Sequence, residues 1–176
     1  MEATPSRPIR DPFARPGQPG NRGLRYGSDG SIPAPYRASL DQAVDLAYRL
    51  NDKPSFASLF ARTVSGLTGT RLGDDAYLAA LDKAVVHLAE TSRNQRIREE
   101  LRRDAEAVAR DPRYSPPPAF SIVGGRDVWL REAQLRKGPK AIAGSLLHEA
   151  AHLAGAPANP LAEVALEALH NASYPR

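Results

Sequence analysis

Cysteine is absent from the 176 residues. That excludes disulfides, thiolate metal ligands and a cysteine nucleophile, so any metal ion must be held by histidine and carboxylate. Long apolar runs are missing too. No stretch approaches the roughly 20 apolar residues of a membrane span. The opening MEATPSRPIRDPF also lacks the apolar core of a secretory signal. The expectation is a soluble chain with no membrane partner, sited in a bacterial cytoplasm or exported within a larger system. Aromatic residues are few, at 6% with a single tryptophan, which leaves no platform for stacking nucleic-acid bases. The formal charge of +4 is spread thinly, without a one-sided basic face. Nucleic acid is therefore the least favoured partner, and such a binder would lose affinity with added salt.

What is present, 41% hydrophobic residues, suffices for one domain with a real core. Residues 1–38 hold seven prolines and five glycines among scattered arginines, and cannot bury enough surface to offset their ordering entropy. They read as a flexible arm in front of a domain at 39–176, with Arg7, Arg10, Arg15, Arg22 and Arg25 as a conceivable phosphate-binding tail. Ser39 then caps a helix with Leu40, Ala43, Val44, Ala47 and Leu50 at helical spacing. A second helix begins near Pro54 with Phe56, Leu59, Phe60 and Val64 inward, and the glycines at Gly66 and Gly69 stop it. Asp74 caps a longer third helix with a stripe of Leu78, Leu81, Val85 and Leu88, and His87 reads as a residue beside that stripe. RNQRIREELRRDAEAVARD predicts a fourth, with Ile97, Leu101, Ala105 and Val108 inward and ion pairs outward.

After Pro116, Pro117 and Pro118 the period changes. AFSIV, Gly124-Gly125 and RDVWLRE predict a β-hairpin, because a two-glycine turn tolerates the positive φ angles that tight hairpins need. Trp129 falls on the opposite face from Val128 and Leu130. Gly138 and Pro139 open the next helix, which carries His148-Glu149-Ala150-Ala151-His152. Histidines four apart stand one turn above the other and can reach one metal ion, while Glu149, rotated by about 100°, can reach a water on that ion. Zinc lowers the pKa of such a water towards roughly 7, and the glutamate takes the proton and later returns it to the leaving amine.

SLLHEAAHLAG resembles the active-site helix of the zincin superfamily of zinc metallopeptidases. The resemblance implies an α+β, predominantly helical domain with a small sheet or hairpin, an HExxH helix and a returning C-terminal helix that supplies the third ligand. It also implies zinc as cofactor, a protein or peptide as substrate, and pairing of an extended substrate with the strand at Val128 to Glu132. Gly155 matches the glycine of the metzincin pattern HExxHxxGxxH, but Ala158 stands where its third histidine belongs. Gly155 to Ala158 make the turn, and Asn159-Pro160 cap and open the returning helix. There Glu163, Glu167 and His170 share a face. Either glutamate could close the site, and Glu163 is preferred because the short turn keeps it nearest, giving the compact gluzincin-like set His148, His152 and Glu163 with Glu149 as general base and acid. The closing NASYP is more weakly similar to aspzincins, whose GTxxD is missing. His170 or the unused carboxylate could support a ligand, and Tyr114 or Tyr174 could donate to the oxyanion. The alternative is an inactive zincin-like interaction module or toxin-associated domain that uses zinc structurally.

Overall fold

The computed structural model of the chain describes residues 25–51, 53–73 and 76–173. In chain order these form β1 (Arg25–Tyr26), α1 (Ala34–Asn51), α2 (Pro54–Thr68), α3 (Ala76–Asp82), β2 (Val85–Leu88) and a 3-10 turn at Ala89–Thr91. There follow α4 (Gln95–Arg110), β3 (Ala119–Ser121), β4 (Asp127–Leu130), α5 (Glu132–Leu135), α6 (Pro139–Leu153) and α7 (Pro160–Ser173). The class is α+β and predominantly helical. Among the described residues no helix is long and apolar enough to cross a membrane.

The sheet runs β1-β2-β4-β3, with β2 parallel to both of its neighbours and β3 antiparallel to β4. The expected hairpin is present, and its register sets Ala119 opposite Leu130 and Ser121 opposite Val128. As the alternation implied, Val128 and Leu130 join the main core with α1, α3 and α6, while Trp129 packs on the other face with Ala89 and Ile97. A segment read as substrate edge changes role. Val128 to Leu130 lies between β2 and β3, so its backbone is committed on both sides, and β3 is the outer strand.

Residues 25–38, expected within the arm, belong to the folded domain. Arg25–Tyr26 pairs with β2, Gly27 donates to the Val86 carbonyl at 2.8 Å, and Ile32 is buried in the main core. Residues 1–24, with four of the five arginines of the supposed tail, lie outside the described residues. Helix α1 begins at Ala34, so Ser39 sits inside it and caps nothing. In α2 the stop is Gly69, whose φ of +72 takes the left-handed cap, while Gly66 stays helical and Leu59 faces solvent.

The largest correction concerns the third helix. It ends at Asp82, and Val85–Leu88 forms a strand buried between β1 and β4. Asp74 lies outside the described residues. A strand enclosed between two parallel partners shows no polar alternation, and its apolar residues Val85 and Leu88 coincide here with helical spacing from Leu78. In α4 the inward positions are Ile97, Leu101 and Asp104, while Ala105 and Val108 face out. The buried Asp104 is held by Arg131, whose guanidinium also lies 5.1 Å from the centre of the Phe120 ring, and by the Tyr114 hydroxyl at 2.7 Å. Its charge is thus paired and hydrogen-bonded, as burial requires.

Candidate metal centre

Helix α6 runs through the core. Gly138, at φ +92, turns the chain into it, and Pro139 supplies a first residue that needs no amide donor. Ile142, Ala143, Leu146, Leu147, Ala150 and Ala151 bury most of its circumference. A less buried stripe remains, made by Ala141, Gly144, His148 and His152, and α7 packs beside it. At the C-terminus Gly155 takes φ +110, its amide donates to the His152 carbonyl at 2.9 Å, and the Ala156 amide donates to the Ala151 carbonyl at 3.0 Å. This is a Schellman stop, which reverses the chain within a few residues. Asn159 then caps α7 by accepting from the Leu161 and Ala162 amides, as anticipated for Asn159-Pro160. Its side-chain amide also donates to the Leu67 carbonyl at 2.8 Å, fastening the turn to the end of α2.

The short return brings Glu163 to the histidine pair. One donor atom each from His148, His152 and Glu163 lie within 4.8 Å of one another, a group that could hold a metal ion. The two Nε2 atoms are 3.2 Å apart. The Nδ1 of His152 meets the Ala156 carbonyl at 2.7 Å; a carbonyl only accepts, so Nδ1 carries a hydrogen and Nε2 is the atom turned towards His148. An outer hydrogen bond of this kind fixes a ligand ring and its tautomer. Burial, reinforced by the positive potential of His152, depresses the His148 pKa from 6.5 to about 4. The ring is therefore neutral, as a ligand must be.

Glu149 is only 5% exposed. Burial pushes its carboxyl above the usual glutamate range and nearby Glu163 pushes the same way, against the Ser121 hydrogen bond and the charge of His152. Its Oε2 accepts from the Ser121 hydroxyl at 2.5 Å. The hairpin touches the motif a second time, where the Gly124 amide donates to the His152 carbonyl at 3.0 Å.

Other candidates fall elsewhere. Glu167 is exposed and outside the three-residue group. His170 is buried against Gly144, where a Cβ would meet its ring at 2.7 Å, so it supports the α6–α7 packing. Tyr114 donates to Asp104 beside α4, across the sheet from the motif helix, which removes it as an oxyanion donor. Tyr174 lies outside the described residues. Sequence reasoning missed Ser121 and the Ala156 carbonyl. A signal for the first existed: Ser121 is the polar residue of β3 on the same face as Val128, the face turned to α6. In comparisons with known proteins, no family model, no curated protein and no solved structure matches this chain.

Proposed function

We propose that the chain is a zinc-dependent metallopeptidase of compact, gluzincin-like zincin type, cleaving peptide bonds in a protein or peptide substrate. The observation that carries this reading is the convergence of His148, His152 and Glu163 on one point, with the buried Glu149 next to the first of them. Two imidazoles and one carboxylate form a donor set suited to an open zinc site. Bound there, zinc would acidify a water molecule and polarise the substrate carbonyl. His152 is pre-aligned by Ala156, and burial of His148 disfavours its protonation, which keeps that ring available as a donor. Glu149 takes the proton of the attacking water and passes it to the departing amine as the carbon–nitrogen bond breaks. A carboxyl with raised proton affinity is suited to both halves of that transfer.

One observation favours a second reading. Glu149 is buried and engaged by Ser121, as a purely structural carboxyl would be, so the chain could use zinc only to fix its helices. The test is metal analysis of the purified protein, together with digestion of casein and a peptide library with and without chelator. Glu149→Gln is expected to keep the metal and lose roughly three orders of magnitude in kcat. Full activity in that variant removes the peptidase mechanism; a metal-loaded parent that cleaves nothing leaves the structural reading.

A further inference from the structure

The hairpin bears on the motif helix through two hydrogen bonds, and their placement is asymmetric. The Gly124 amide holds a backbone carbonyl, that of His152, whereas the Ser121 hydroxyl holds the reactive end of Glu149. Resting on the reading of Glu149 as general base, we propose that Ser121 is a positioning residue for that base, presenting one carboxylate oxygen for proton transfer by fastening the other.

A serine hydroxyl has one hydrogen to donate, and here it goes to Oε2 of Glu149, which leaves Oε1 for the water. Ser121 is itself well fixed. It ends β3, where its backbone is in register with Val128 of β4, a strand paired on both sides. Two residues of turn separate it from Gly124, which is bound to the carbonyl of His152. The sheet therefore supplies a frame from which the hydroxyl sets the carboxylate relative to the two imidazoles. A glutamate side chain has several rotatable bonds, and ordering them before reaction removes that reorganisation from the barrier. The contact differs in kind from packing, because alanine at this position would remove the hydroxyl and leave the volume almost unchanged.

The experiment compares Ser121→Ala and Ser121→Thr in the zinc-loaded full chain. The alanine variant is expected to lose roughly 10–100-fold in kcat, with KM and zinc affinity within about twofold of the parent. Threonine keeps the hydroxyl and is expected to recover most of the loss. A second readout needs no turnover: 13C NMR of the glutamate side-chain carboxyls at fixed pH, with the Glu149 signal assigned by its loss in Glu149→Gln. That signal should move in Ser121→Ala and stay in Ser121→Thr. Unchanged kcat in the alanine variant overturns the proposal, as does a threonine variant no better than alanine, or a parallel fall in zinc affinity. Failure of the peptidase reading looks different: the parent binds zinc and cleaves nothing while the carboxyl signal still responds to Ser121→Ala. The contact is then only a fastening of the hairpin, and the positioning role falls with the base.

Discussion

His87 and His148 are both largely enclosed, on neighbouring parts of one sheet-and-helix framework, yet their surroundings differ in every chemical respect. The His87 ring stacks on Trp129 at 5.2 Å, its Nε2 donates to Asp127 at 2.8 Å, and Gly27 closes against its edge. Asp29, from the same segment, accepts from the Trp129 indole, the Ser92 hydroxyl and the Arg93 amide. His87 is thus a member of a network that binds the segment after β1 to the sheet and to the start of α4. His148 has a second imidazole at 3.2 Å and a carboxylate from α7 within reach. Burial is common to both. What separates them is the company of the ring: His87 has a carboxylate on Nε2, an indole on its face and a buried Nδ1 without a hydrogen-bond partner among the described residues, whereas His148 faces a second imidazole and a carboxylate, a set of donors that could share a cation.

The largest effects should follow from breaking the convergent set. His152→Ala removes both a donor and the ring that Ala156 aligns, and zinc affinity should fall by at least about three orders of magnitude, near 4 kcal/mol. Glu163→Gln, which keeps shape but weakens the donor, should cost roughly 10–100-fold, while Glu167→Gln should change little because that residue is exposed and outside the group. Competition titration with a chromogenic chelator measures all three. Equal losses in the two glutamate variants would shift the third donor away from Glu163 and undo the contrast with His87.

Acid offers a second way to sharpen it. The His148 pKa is depressed to about 4, so between 6.5 and 4 the unfolded chain binds a proton that the folded chain refuses. The associated stability is fully present above pH 6.5 and is lost as pH falls through about 4, a change of roughly 3 kcal/mol for the metal-free protein. Glu149 acts oppositely: its raised pKa gives stability below its ordinary range that disappears as pH rises. The measurement is therefore best made in Glu149→Gln, by urea unfolding with chelator from pH 7 to pH 4. Adding His148→Asn should flatten the profile by about that amount. Identical profiles with and without His148 would show that the ring is not held neutral by the fold.

Much of the motif side was legible because its signals are local. Gly138-Pro139, the helical spacing of the histidines, and Asn159-Pro160 each act within a few residues, and together they set α6, the turn and the return of Glu163. Although its strands are joined by residues 122–126 and of the two glycines only Gly124 takes a positive φ, the hairpin was readable from its alternation and its glycines. The His87 side was not. Strand β2 owes its conformation to parallel partners distant in sequence, Arg25–Tyr26 and Asp127–Leu130, and such pairing leaves no turn or alternation to mark it. Asp104 misled for the same reason. Apolar spacing could not foresee a buried acid whose partner, Arg131, arrives from the far end of the hairpin. Ser121 belongs with these, since its importance lies in a contact across the sheet–helix boundary.

The smallest effect expected is also the most selective, and it falls on the non-metal histidine. A Cβ on Gly27 would lie 1.8 Å from Cε1 and 2.0 Å from Nδ1 of His87. The ring has no simple escape, being stacked on Trp129 and tied at Nε2 to Asp127. The chain at Gly27 is held as well, through its amide on the Val86 carbonyl. Gly27→Ala must therefore displace either the imidazole or β1, at a cost of about 1–3 kcal/mol. The strain arises between β1 and β2, whereas the proposed metal donors stand on α6 and α7. Thermal unfolding should show a lower Tm, while zinc affinity and peptide cleavage at temperatures below the transition stay within about twofold of the parent. A Gly27→Ala protein that loses zinc in proportion to its stability would mean that the two histidine regions share one cooperative frame, and the separation between a packed imidazole and a ligand imidazole would have to be drawn differently.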